Sequence, residues 1–264
     1  MAVDLIQIDN YATGTLLASP SSPSKTDDGS YVYTRGSMPD VARDIISKRP
    51  TERDAFFICD LREIARKVEL WKECLPRVVP FYAIKSCRDP VVANVMNNLG
   101  VCFDCANEPE LRAVLNMGVA AERIVLASAV KCPWDIDFAL KHNVDIMTFD
   151  SVEELYKVKD KNARLLLRIK SDQTGSYHTF NNKFGCSVYD AERVLQEART
   201  LGCNVVGMSF HVGSAYEVPE IFARTIERAK AVFDLAASMG IHMTVLDIGG
   251  GFPGGLRKRD KFFK

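Results

Sequence analysis

Short apolar runs alternating with helical patterns fix the class of fold open to this chain. The runs fall at residues 80–84, 100–103, 123–127, 144–149, 165–169, 205–210 and 243–248. Between them lie the helical patterns Pro90–Leu99, Glu108–Met117, Pro133–Lys141, Val152–Lys159, Asp190–Leu201 and Pro219–Met239. A strand that is apolar at every position is buried on both faces, as happens when helices cover both sides of a parallel sheet. The alternation therefore predicts βα units on a parallel sheet, class α/β. Seven such units, roughly 20–40 residues apart, favour a (β/α)8-type TIM barrel over a doubly wound sheet. A doubly wound dinucleotide binder would carry a glycine fingerprint after its first strand, and Lys85-Ser86-Cys87-Arg88 is not one. With seven strands the eight-stranded barrel is incomplete, and an open edge is expected.

Upstream of the repeat, Ala55–Cys59 reads as a strand and Arg62–Cys74 as a helix, so a folded unit is expected from about Asp54. Residues 12–40 are rich in Ser, Pro, Thr, Gly and Asp, notably Ser19-Pro20-Ser21-Ser22-Pro23-Ser24, which predicts flexibility. The expected division is a partly flexible extension over 1–53 and an incomplete barrel over 54–264. The chain has 34 basic and 34 acidic residues, which leaves no electrostatic case for nucleic acid or an anionic membrane as main partner. No apolar run approaches the roughly 20 residues needed to cross a bilayer. Met1-Ala2-Val3-Asp4 has no basic region leading into an apolar core, so a cytoplasmic location is expected. The eight cysteines are scattered, and a large core without a secretory signal argues for reduced thiols. Cys102-Phe103-Asp104-Cys105 has C-x-x-C spacing, but strand alternation sends its two thiols to opposite faces. With no second pair at zinc spacing, no metal site is expected.

Barrel chemistry sits at the C-terminal ends of strands, and the polar residues here gather there. Lys85 ends the first run of the repeat, Asp104 the second and Arg168 the fifth; His211 and Ser214 follow the sixth, and Gly249-Gly250-Gly251 the seventh. Each has a plain alternative. A strand-end lysine usually points to solvent, a glycine triplet can be a bare turn, and one histidine among aliphatics is more often a satisfied core residue. Asp104 and Arg168 could form a structural ion pair. Lys85 nevertheless follows the apolar stretch Pro80-Phe81-Tyr82-Ala83-Ile84, where desolvation and nearby positive charge would expose a nucleophilic amine. Three glycines after a buried strand let bare N–H groups approach a phosphate. A Schiff-base lysine with a glycine phosphate cradle points to pyridoxal phosphate chemistry.

From about Asp54 to Gly254 the chain resembles the eukaryotic ornithine decarboxylases. These belong with the diaminopimelate and arginine decarboxylases among barrel-type pyridoxal phosphate enzymes. The likeness is carried by PFYAIK, FDCAN, ERIVLA, IMTFDS, LLRIK, NKFG, GMSFHVGS and LDIGGGFPG, the last two together being highly specific. By motif, Lys85 matches the lysine that bonds the cofactor and His211 the histidine that stacks on its ring. Ser214, Gly249, Gly250 and Gly251 match phosphate contacts, and Asp104, Glu110 and Arg168 match polar groups around the cofactor. Lys183 matches a lysine at the family's dimer interface.

The resemblance implies pyridoxal 5'-phosphate as cofactor, L-ornithine or a related basic amino acid as substrate, putrescine as product, and a homodimer in the full-length form. It also implies a Glu-Pro-Gly-Arg strand, a C-terminal β domain and a cross-subunit cysteine that these 264 residues do not contain, so the chain is expected to be a fragment with little or no activity alone. Antizyme inhibitors share the fold without catalysis and regulate polyamine synthesis. Retention of the cofactor motifs here favours the enzyme, with an antizyme-inhibitor-like regulator as the alternative. Barrel-only pyridoxal phosphate carriers lack FHVGS and the N-terminal segment. Lys131–Glu154 matches the family's antizyme-binding region, yet it sets Asp135, Asp137 and Asp145 against Lys131 and Lys141, which is less basic than an acidic partner would prefer.

Overall fold

The computed structural model describes residues Val3–Ile6, Ser24–Lys25, Tyr31–Val32, 36–51, 53–159, 161–172, 176–178, 180–216 and 219–252. Most of the Ser- and Pro-rich stretch, Pro253-Gly254 and the charged ending from Leu256 lie outside them. The chain divides into two compact units, one of Met1–Pro80 with Cys87–Val101 and one of Phe81–Ser86 with Cys102–Lys264.

In the first unit β1 (Val3–Ile6) lies between β3 (Tyr31–Val32) and β4 (Phe57–Asp60), parallel to both, and β2 (Ser24–Lys25) pairs antiparallel with β3. Helix α1 (Met38–Lys48) begins inside the stretch that composition marks as flexible. The local signal is a capping box, in which Ser37 Oγ accepts the Asp40 N–H and the Asp40 carboxylate accepts the Ser37 N–H. Val41 and Ile45, one helical turn apart, then bury a stripe against Phe56 and Ile58. Helix α2 (Leu61–Cys74) is capped by Asp60, and α3 (Pro90–Asn98) by Asp89, whose Oδ1 accepts the Val91 N–H at 2.9 Å.

The second unit holds a seven-stranded sheet, parallel throughout and ordered as the chain runs. Its strands are β5 (Phe81–Ala83), β6 (Cys102–Cys105), β7 (Ile124–Leu126), β8 (Ile146–Phe149), β9 (Arg164–Arg168), β11 (Asn204–Ser209) and β13 (Val245–Asp247). Each falls within or beside one of the apolar runs. The helices α4 (Glu108–Asn116), α5 (Pro133–Lys141), α6 (Val152–Val158), α7 (Ala191–Thr200) and α8 (Glu220–Ser238) match the helical patterns to within a residue or so at each end. Edge strands β5 and β13 remain unpaired with each other among the described residues, giving the incomplete TIM-barrel-type sheet. Two short strands have no apolar signature: β10 (Ser176–His178) and β12 (Ser214–Tyr216) pair antiparallel.

Strand register sorts the side chains onto two faces. Phe103, Cys105, Leu126, Met147, Phe149, Leu165, Leu167 and Met208 share one face and are buried. The other face carries Asp104, Thr148, Arg168, Ser209 and Asp247, and the last three lie in one row: Arg168 pairs in register with Ser209, and Ser209 with Asp247. A polar face within a buried sheet is costly unless its groups find hydrogen-bond or charge partners.

Candidate cofactor site at the strand ends

Lys85 sits in a single 3-10 turn, Ile84–Ser86, directly after β5, and Ser86 Oγ closes that turn on the Ala83 carbonyl at 2.8 Å. The residue is exposed, which corrects the expected apolar setting. β5 is only three residues long, so the chain leaves the sheet before its lysine is enclosed. The lysine acts instead on a carboxylate, since its charge favours ionisation of Asp104.

Asp104 stands beside Ala83 in the register of β5 and β6. Burial pushes its carboxyl up to about 6; Lys85 and Arg168 oppose this, while Asp247 and Glu110 reinforce it. Its Oδ1 is sealed from solvent without a hydrogen-bond partner among the described residues, as are Thr148 Oγ1 and Ser209 Oγ. Arg168 does not serve Asp104 as a hydrogen-bonded mate. Its guanidinium lies 4.9 Å from the Phe184 ring centroid and is influenced by Asp150, Asp247 and Asp104 together. Glu110 is buried in the first turn of α4, where its Oε2 accepts the Ala106 N–H at 2.8 Å.

His211 follows β11. Its Nδ1 accepts the Gly213 N–H at 3.0 Å, so the neutral ring carries its proton on Nε2. Burial holds the imidazole down to about 4, with Arg168 and Lys85 adding to the effect. Gly250 faces Nε2, since a Cβ there would lie 3.1 Å from it. Gly249 has φ +66°, and a Cβ on it would meet Phe210 O at 2.1 Å. Only glycine fits that turn. Ser214 lies in β12, paired with His178 of β10.

Two aspartates of this cluster lie inside the IMTFDS and LDIGGGFPG motifs without being singled out there. Asp247 Oδ1 accepts the Gly249 N–H at 2.8 Å and so shapes the glycine turn; burial raises its carboxyl, opposed by that bond and by Arg168. Asp150 Oδ2 accepts the Gly185 N–H at 2.7 Å, and a Cβ on Gly185 would lie 2.8 Å from the Ile169 carbonyl carbon. Both are aspartates at strand ends, and Asp247 stands two residues before the glycine run. Lys183, on the same turn as Gly185, is exposed.

In the Lys131–Glu154 segment, Lys131 is 3% exposed; its Nζ reaches Glu154 Oε2 at 2.9 Å and the carbonyls of Ser128 and Thr148. Asp145 pairs with Arg164 and Asp137 with Lys161. Lys131 therefore offers no charge to a partner, whereas Trp134 and Val130 are exposed. All eight cysteines are free, and burial raises the Cys102 and Cys105 thiols. Among the described residues no helix is long and apolar enough to cross a membrane.

The residues present suit a phosphorylated aldehyde cofactor. A cradle that a Cβ would fill stands beside a neutral imidazole, and an amine and an unpartnered buried carboxylate oxygen share the same strand ends. Comparison with known proteins agrees. The family model for "Pyridoxal-dependent decarboxylase, pyridoxal binding domain" matches residues 61–262. The ornithine decarboxylase of Schizosaccharomyces pombe is 40% identical over 234 residues, covering 88% of this chain and 54% of that protein. Antizyme inhibitor 2 of Xenopus laevis is 41% identical over 219 residues, covering 81% and 48%. The crystal structure of the Paramecium bursaria Chlorella virus arginine decarboxylase superposes with a TM-score of 0.79 at 35% identity, covering 81% of this chain and 58% of that one. The chain thus spans about half the length of the curated relatives it matches. Its cofactor is pyridoxal 5'-phosphate, and the chain belongs to the pyridoxal-dependent decarboxylases through their pyridoxal-binding domain.

Proposed function

We propose that this chain is the cofactor-bearing barrel of a basic amino-acid decarboxylase that converts L-ornithine to putrescine. The observation that carries the reading is the gathering of Lys85, Asp104, Arg168, His211 and the glycine turn at one end of one sheet. When bound, pyridoxal 5'-phosphate supplies a ring that accepts the electron pair left as carbon dioxide departs. The protein's part is to bind, orient and move protons. Lys85 Nζ is the amine that would hold the cofactor at the end of β5. Asp104, its carboxyl raised by burial to about 6, would hold or release a proton at its own carboxylate close to neutral pH. His211 stays neutral, so its face offers a ring to stack on without a competing positive charge. The N–H groups of Gly250 and Gly251, with Ser214, would take the phosphate, while the Gly249 N–H is held by Asp247. Arg168 balances the carboxylates of Asp104, Asp150 and Asp247.

The test separates binding from turnover. Addition of pyridoxal 5'-phosphate followed by borohydride should label Lys85 irreversibly, as read by peptide mass spectrometry, and Lys85→Ala should abolish the label. Carbon dioxide release would then be compared for ornithine, lysine and arginine. A label placed elsewhere, or preference for another amino acid, sinks the corresponding part of the proposal. The homodimer and the role of Lys183 in it belong to the same reading and are read by sedimentation of Lys183→Ala.

A second reading has its own support: antizyme inhibitors match as well as decarboxylases do, and Trp134 is 63% exposed on α5 within the segment that resembles their antizyme-binding region. If regulation through antizyme is the function, Trp134→Ala weakens antizyme capture while Lys85→Ala leaves it intact.

A further inference from the structure

We propose that Phe180 and Asn181 are positioning residues for His211, forming a clamp that fixes the orientation and tautomer of its ring. The proposal rests on the cofactor reading of the site and assigns a task to a turn which that reading leaves unused.

The clamp grips His211 at ring and backbone. The Phe180 and His211 rings meet edge-on, with centroids 5.0 Å apart and planes at 90°. Asn181 Oδ1 accepts the Ser171 N–H at 3.2 Å, and Asn181 Nδ2 donates to the Ser171 carbonyl at 2.7 Å. Ser171, itself 2% exposed, passes the constraint on: its Oγ donates to the His211 carbonyl at 2.6 Å. The next residue is tied to α8, because the Asp172 N–H donates to Thr225 Oγ1 and Asp172 Oδ2 accepts from Arg224 Nε at 2.8 Å.

The turn that carries the clamp is held at both ends. The Phe180 carbonyl accepts the N–H groups of Lys183 and Phe184, and Gly185 is bound by Asp150. Cys186 then rejoins β9, donating to the Arg168 carbonyl and accepting from Lys170. His211 has by this point left the ladder of β11, which ends at Ser209. Its ring orientation is therefore set by side contacts, and the Gly213 N–H can hold Nδ1 as acceptor only while the ring keeps one pose. Edge-to-face aromatic pairs prefer such fixed poses over free rotation.

The experiment uses the whole chain labelled with nitrogen-15 histidine and reads its four histidines in long-range nitrogen–proton spectra, with His211→Asn assigning the signal. Wild type should show a neutral His211 protonated on Nε2 alone. Phe180→Leu should give mixed tautomers and weaken binding of pyridoxal 5'-phosphate about three- to tenfold, the range expected for loss of one aromatic pair. Phe180→Tyr keeps the ring and should restore both. Asn181→Asp, which keeps the acceptor but loses the donor to Ser171, is the milder second variant and should shift the tautomer without unfolding the chain. Wild-type tautomer and affinity in both folded Phe180→Leu and Asn181→Asp would overturn the clamp. A tautomer shift in a chain that never binds the cofactor would uphold the clamp and sink the cofactor reading.

Discussion

Asp104 and His211 titrate in opposite senses, and the chain's pH stability should conceal both until one is removed. Burial raises the Asp104 carboxyl from 3.8 to about 6, so the folded state holds that proton more tightly than the unfolded chain. The associated stability is complete below 3.8 and is lost as pH rises through about 6. Linkage makes the loss about 2 kcal/mol between pH 4.5 and 8. His211 is lowered from 6.5 to about 4, so its stability is complete above 6.5 and is lost as pH falls through about 4. Over the same interval it gains roughly 2 kcal/mol as pH rises. The two slopes nearly cancel in wild type. Asp104→Asn removes one of them: the stability difference, variant minus wild type, should move by about 2 kcal/mol in the variant's favour from pH 4.5 to 8. His211→Gln should tilt the other way. Urea unfolding of the cofactor-free chain, followed by circular dichroism at half-unit pH steps, measures this directly. Parallel stability curves for wild type and Asp104→Asn would refute the argument, since they would mean that Asp104 ionises in the folded chain as it does in the unfolded one.

Other outcomes follow from the same geometry. Gly249→Ala must both adopt φ +66° and place a Cβ 2.1 Å from Phe210 O, so it should cost at least about 2 kcal/mol and abolish cofactor binding, measured by unfolding and by absorbance titration. Gly250→Ala meets only the His211 ring at 3.1 Å, so it should leave stability within about 1 kcal/mol while still weakening the cofactor. Glu154→Gln leaves the buried Lys131 ammonium without its carboxylate and should destabilise by about 3 kcal/mol; Lys131→Met with Glu154→Leu should cost less than that single change, as a double-mutant cycle would show. Ser209→Ala removes a buried hydroxyl that has no partner, so the cofactor-free chain should lose no stability; a loss above about 1 kcal/mol would mean the hydroxyl is satisfied.

What the sequence made legible was whatever depends on burial over a whole element. The seven strands of the parallel sheet and their helices are regular enough in character to read one by one, because the inner strands are largely apolar where they are covered. Elements stabilised by a few specific contacts were hidden. Helix α1 rests on one capping box and two buried aliphatics, too small a signal against a Ser- and Pro-rich background. The β10 and β12 pair has neither length nor apolar pattern, and its partners are separated by α7 and β11. The site divides along the same line. Strand-end position is what singles out Lys85, Asp104, Arg168 and His211 as candidates, because the barrel topology itself brings strand ends together. It gave no account of their environment, which depends on where each strand stops: β5 ends early and leaves Lys85 exposed, while β6 extends far enough to bury Asp104. Asp150 and Asp247 were missed for a related reason. Each binds a glycine N–H, and a hydrogen bond from a side chain to a backbone far away in sequence, or to a turn two residues on, leaves no periodicity to read. The shape of the glycine turn and the pose of His211 thus come from contacts that only the folded chain displays.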